Sequence, residues 1–216
     1  MYIPEQKMAR NEELYLAILK GDRAKVQAIL QNAINLNQDV NELLEETMIP
    51  AMREVGERFA RNEIYVPEML ISARAMQAGL TLIEPILAKS NHKARGKIAI
   101  GTVKGDLHDI GKNLVSIMLK GAGYEVLDLG VNCSVEKYAE AVNAGINILL
   151  CSALLTTTMM YMKEIVDYFK SNNAVKIVVG GAPVTQSFAD MIGAHAYGQN
   201  ANDAVRIVAN LTGAVV

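Results

Sequence analysis

Apolar and polar positions alternate in two different ways along this chain, and the change falls near residue 90. Up to Lys89, Val40, Leu44, Met48, Ala51 and Val55 recur three or four residues apart, and so do Met69, Ala73, Met76, Leu80, Ile83 and Leu87. Each set draws one apolar stripe down a helix, and such stripes are buried by packing helix on helix. Gly21 and Asp22 separate a short first helix from the next, and Pro67 suits the first turn of another, where a missing N–H costs nothing. Four or five helices packed as a small bundle are expected over residues 1–90.

Beyond the break, short apolar runs replace the stripes. They cover 98–103, 124–129, 146–151 and 175–179, with a weaker one at 194–197, and each is followed by a helical segment. Runs that are apolar at every position, such as Ile148 to Leu150 and Ile177 to Val179, suit parallel strands covered on both faces. The expected fold class is therefore α/β: an N-terminal helical bundle cap, then a flavodoxin-like doubly wound five-stranded parallel sheet over residues 91–216. Residues 90–96 are polar and aperiodic and read as the linker, with His92 a solvated linker side chain.

Composition changes this picture little. At 216 residues and 51% hydrophobic, the chain can bury a sizeable core as one large domain or two small ones. A net charge of -2 offers no basic footprint for nucleic acid. The two cysteines, Cys133 and Cys151, form no CxxC pair, which favours a reducing cytoplasm. The first residues lack the basic-then-apolar order of a signal peptide, and no stretch supplies the roughly 20 apolar residues that span a bilayer. Neither a nucleic acid nor a membrane is expected as a partner.

The chemistry concentrates in residues 101–113. This polar, glycine-rich loop lies between an apolar run and a helical one, which places it at the carboxyl edge of the sheet, where open α/β folds bind ligands. His108 stands in its middle, with Asp106 two residues before and Asp109 directly after. Two further loops should reach the same edge, one from Ser152 to Thr158 and one at Gly180 and Gly181. The paired glycines remove side chains where something must approach the backbone closely. A phosphate-loop reading of Gly105 to Lys112 fails on spacing and on Asn113 where a hydroxyl should follow. A hydrolytic metal centre wants three or more protein ligands, and one histidine is too few. One imidazole with an acid behind it is enough for a metal that arrives already held by a macrocycle.

Asp106-x-His108-x-x-Gly111, then Ser152-x-Leu154, then Gly180-Gly181, in that order and spacing, is similar to the cobalamin-binding signature of methionine synthase and its relatives. Residues 52–59 and 66–76 resemble the helical cap that precedes the cobalamin domain there. With no catalytic domain attached, the chain most resembles the stand-alone corrinoid proteins of methyltransferase systems. The resemblance implies a cobalamin or related corrinoid, bound histidine-on and base-off, with His108 the axial ligand to cobalt. Asp106 would hydrogen-bond the imidazole, and Thr158 would complete the relay where methionine synthase has Ser. A proton would be taken up by His108 whenever cobalt released it. Cofactor contacts are implied for Gly105, Asp106, Leu107, His108, Asp109, Ile110 and Gly111, for Ser152, Leu154 and Thr156, and for Gly180 and Gly181. A branched side chain at Gly181 is expected to block the trench for the cofactor's tail.

The implied function is that of a non-catalytic methyl carrier. A substrate-specific corrinoid methyltransferase would load the methyl group, a second methyltransferase would pass it to tetrahydrofolate or a thiol, and a reductive activating protein would restore the cofactor. The cap would cover the cofactor at rest and swing away on the linker. Met48, Met52, Met69 and Met76 read as core filling, with shielding of the corrin's upper face the alternative. His195 stands where the relatives usually carry Asp, and is read as satisfied by neighbouring backbone. Two other classes stay open: a cobalamin-dependent regulator, which would need an output domain, and a flavodoxin-like electron carrier, which would need a hydroxyl-rich phosphate loop.

Overall fold

The computed structural model describes residues 10–89 and 94–213. They form two compact units, divided between residues 93 and 94. His92 and the first part of the expected linker lie outside the described residues.

The first unit is helical: α1 (Glu12–Leu19), α2 (Arg23–Asn35), α3 (Val40–Leu43), α4 (Ile49–Ala60) and α5 (Val66–Lys89), with a π-helical turn, Leu44–Met48, joining α3 to α4. Short polar side chains start three of them. Asn11 accepts from the Leu14 N–H at 2.9 Å, Asp22 from Lys25 N–H at 3.0 Å, and Asp39 from Asn41 N–H at 2.8 Å. Val40, Leu44, Met48, Ala51 and Val55 are all buried, as are Met69, Ala73, Met76, Ile83 and Leu87, while Leu80 is half-buried. The π-turn was not foreseen. Pro50 cannot donate to the ladder, and the helix widens just before it, which turns Thr47 inward so that its hydroxyl accepts from the Asn11 N–H at 3.0 Å. The four methionines named above are core filling within this unit, each no more than 2% exposed.

The second unit alternates β1 (Lys97–Val103), α6 (Ile110–Gly121), β2 (Glu125–Cys133), α7 (Val135–Asn143), β3 (Ile148–Ser152), α8 (Thr156–Met159), α9 (Tyr161–Phe169), β4 (Lys176–Gly180), α10 (Gln186–Ile192), β5 (Ala196–Gly198) and α11 (Ala201–Thr212). All strand pairs are parallel, in the order β2-β1-β3-β4-β5. Alternate residues of the central strands feed two cores. Ala99, Leu149, Ile177 and Val179 pack with Tyr138, Met162, Ile165 and Phe188 on one face. Ile98, Ile100, Leu150 and Val178 pack with Leu119, Tyr124 and Val208 on the other. β2 runs four residues further than its apolar run, because Gly130 and Asn132 read as turn residues yet continue the strand through two slips of register. The reversal of strand order lies between β1 and β3, so the loops that follow these two strands flank the crevice where such sheets bind ligands.

Candidate functional site

The loop after β1 is anchored before it reaches His108. Asp106 donates its N–H to Val103 O at 3.1 Å, and buried Thr102 donates its hydroxyl to the His108 carbonyl at 2.7 Å. Asp106 is completely buried. Its Oδ1 accepts from the His108 N–H at 3.0 Å and lies 2.8 Å from His108 Nδ1. Its Oδ2 accepts from the Leu154 N–H at 2.8 Å and from the Thr158 hydroxyl at 2.7 Å. Thr158 Oγ1 also lies 3.0 Å from the Leu155 carbonyl, but its single proton serves the shorter contact to the carboxylate.

Burial pushes the Asp106 carboxyl up, and four donors outweigh it: the Leu154 N–H, the Thr158 hydroxyl, and the N–H and imidazole of His108. The group is held well below the usual carboxylate range. It is therefore an anion at any ordinary pH, and an anion facing Nδ1 assigns the proton to that nitrogen. The Nε2 lone pair is left to a ligand. The His108 side chain is 53% exposed, and its neighbours in sequence, Leu107 and Ile110, are 72% and 79% exposed. Leu154 and Leu155 add exposed apolar surface from the loop after β3. A bare metal ion has no cage here: among the described residues no group of three His, Cys, Asp or Glu could hold one. The arrangement offers one imidazole, its ring oriented by a buried carboxylate, in a loop whose Leu107 and Ile110 are exposed.

The remaining candidates divide. Asp109 is exposed and accepts from the Asn113 amide at 3.0 Å. Gly105 has a φ of 83° and Gly111 has open space where a β-carbon would stand. Ser152 ends β3, in register between Thr102 and Gly180. Thr156 opens α8 and is exposed. At Gly180 and Gly181 the crowding belongs to the protein itself. A β-carbon on Gly180 would lie 2.9 Å from the Gly198 carbonyl oxygen, and one on Gly181, whose φ is 125°, would run into the Ala153 carbonyl. The expectation that a branched residue at Gly181 acts by filling a cofactor trench is thus replaced by a simpler cause, because the side chain would strike the loop after β3 first. His195 is satisfied by backbone: Ile177 donates its N–H to Nδ1 at 3.1 Å, and burial, then Lys176, pushes its pKa down.

Sequence reasoning missed several contributors. The Leu154 N–H and the Thr102 hydroxyl carry no pattern along the chain that marks them. Lys112 is buried, with Nζ 2.6 Å from Asp128 Oδ2 and 2.7 Å from Asn113 Oδ1, so it is not available to a phosphate. Burial would raise the Asp128 carboxyl, but Lys112, the Gly130 N–H and Lys120 hold it down.

Comparison with known proteins identifies the family. Two models described as B12 binding domain match residues 10–84 and 96–210. A corrinoid protein of Desulfitobacterium hafniense is 38% identical over 213 residues, covering 95% of this chain and 99% of the relative. The trimethylamine corrinoid protein of Methanosarcina barkeri is 40% identical over 208 residues, covering 92% and 96%. Among solved structures, the methanol:cobalamin methyltransferase complex of Methanosarcina barkeri superposes with a TM-score of 0.84 at 29% identity, over 100% of this chain and 83% of the other. Both halves of the chain match, and the relatives cover nearly its whole length, which leads to one assignment: it belongs to the B12-binding family of corrinoid proteins.

Proposed function

We propose that this protein is a corrinoid methyl carrier, with His108 as the axial ligand to cobalt in the histidine-on, base-off form. The observation that carries the reading is the pair itself: a fully buried Asp106 fixing Nδ1 of a half-exposed imidazole, in a loop whose Leu107 and Ile110 are exposed. The donor set fits the cofactor, since a corrin needs one further nitrogen and an apolar face, and His108 with the exposed Leu107, Ile110 and Leu154 supplies both. When bound, the corrinoid supplies a cobalt that accepts and releases a methyl group. Everything else falls to the chain. Asp106 holds a proton on Nδ1 and keeps the ring in one orientation. The Thr158 hydroxyl and the Leu154 N–H hold Asp106 ionised. Leu107, Ile110 and Leu154, exposed in the cofactor-free protein, would exclude water around Nε2 once a corrin covered them, and Gly105, Gly111, Ser152 and Thr156 would line the approach, with Gly180 and Gly181 shaping the loop beside it.

The partners follow from the carrier role. A substrate-specific methyltransferase loads the methyl group, and the relatives named for trimethylamine and dimethylamine support an amine donor. A second methyltransferase unloads it to tetrahydrofolate or a thiol, and a reductive protein reactivates the cofactor. In the test, His108→Ala is loaded with hydroxocobalamin beside the unmodified protein. The variant is expected to fold, since the loop contributes nothing to either core, and to lose the histidine-ligated cobalt(III) absorption. Unchanged histidine-ligated absorption would remove His108 from the axial position.

A further inference from the structure

β2 does not end as a plain strand. Ile100 faces Asp128, Gly101 faces Gly130 and Val103 faces Cys133, so the end of β2 carries two extra residues relative to β1. Such bulges bend a strand and re-aim its side chains, and they gather beside functional sites. Asn132 lies in the second of them with a φ of 53°, a left-handed conformation that Asn tolerates better than other side chains. From there it grips the turn that carries Asp106. Its Oδ1 accepts the Gly105 N–H at 2.8 Å, and its own N–H donates to the Asp106 carbonyl at 3.0 Å. The two bonds bracket Gly105 and Asp106 from either side. Glycine would satisfy the backbone at 132, but only a side chain with a short acceptor supplies the first bond.

We infer that Asn132 is a positioning residue for the imidazole. It fixes the Gly105–Asp106 turn so that the buried carboxylate meets His108 Nδ1, and the side chain of His108 is then held in the single rotamer that presents Nε2. Both partners of the Asn132 side-chain bond are exposed, so the bond adds little to stability and its effect falls on orientation. The inference rests on the axial role proposed for His108.

Two variants separate the acceptor from the backbone. Asn132→Gly keeps the left-handed conformation and the N–H but loses Oδ1, and Asn132→Asp keeps all three. Each is examined cofactor-free, by three-bond couplings that report the His108 χ1 rotamer, and loaded with hydroxocobalamin, by the ratio of histidine-ligated to histidine-free absorption. Asn132→Gly is expected to melt close to the unmodified protein, to average its His108 rotamers, and to lower the ligated ratio about fivefold, the worth of one modest hydrogen bond. Asn132→Asp should restore both readings. A single rotamer and an unchanged ratio in Asn132→Gly would overturn the inference, as would an Asp variant that behaves like the Gly one. If His108→Ala keeps the ligated absorption, the axial assignment is what fails, and the rotamers of the cofactor-free Asn132→Gly protein still decide whether Asn132 holds His108.

Discussion

Asp106 receives four hydrogen bonds at a fully buried position, so each of its donors is tied to the cost of leaving a charge unmatched. Thr158→Val keeps the shape of the side chain and removes the donor 2.7 Å from Oδ2. It should lower the unfolding free energy of the cofactor-free protein by about 1–2 kcal/mol in urea titration at pH 7, and Thr158→Ser should recover most of that. A loss within the error of the titration would mean that the hydroxyl does not support the carboxylate. The low pKa of Asp106 has a sign that pH can test. The folded form binds its proton less tightly than the unfolded chain, whose aspartates titrate near pH ~3.9. The stability due to this group is therefore complete above about pH 5 and is lost as pH falls through 4 and below. In Asp106→Asn that part of the acid limb should disappear, whatever the variant's stability at neutral pH. An acid limb as steep as that of the unmodified protein would place the low-pKa carboxylate elsewhere.

At the scale of elements, two kinds of glycine meet at this edge of the sheet. Gly181 is required by its φ of 125° and by the Ala153 carbonyl, so Gly181→Ala should cost about 2–4 kcal/mol or prevent folding. Gly111 opens the first turn of α6 with nothing near its missing β-carbon. Gly111→Ala should leave stability unchanged or raise it by about 0.5–1 kcal/mol, while weakening uptake of hydroxocobalamin, because the new methyl would stand on the surface beside His108. Equal corrinoid affinity in that variant would move the bound cofactor away from the start of α6. The strands make their own prediction. Cys151 sits in β3 at 2% exposure, and burial pushes its thiol up to about 12; Cys133, completely buried at the end of β2, is raised by burial as well. Neither thiol should react with a disulfide reagent at pH 8 until urea is added, when both should. Labelling of the native protein within minutes would show that the sheet opens readily.

At the scale of the whole molecule, the second unit holds two apolar clusters drawn from its own strands and helices. A fragment of residues 94–216 should therefore fold by itself and unfold in one cooperative transition by circular dichroism in urea. A fragment that stayed unfolded would show that its sheet depends on the helical unit. No helix among the described residues is long and apolar enough to cross a membrane.

Much of this was legible along the chain because it is periodic. Spacings of three and four marked the helical unit, continuous apolar runs marked the strands, and the order of turns and helices led to the strand order that is observed. The Asp106–His108 pair was expected from the resemblance alone, since Asp109 stands nearer to His108 along the chain, and the fold of the turn brings Asp106 to Nδ1 while Asp109 accepts from Asn113. His195 likewise yielded to the ordinary expectation that a histidine near backbone is satisfied by it. Three features belonged to the tertiary structure alone. The Leu154 N–H joins Asp106 because β1 and β3 lie side by side, and a backbone donor leaves no trace in residue type. Gly180 and Gly181 face the protein's own carbonyls, a distinction from ligand clearance that depends on atoms distant in sequence. Asn132 reaches Gly105 only because β2 slips its register twice, and pairing register arises between strands, where no single stretch of sequence records it.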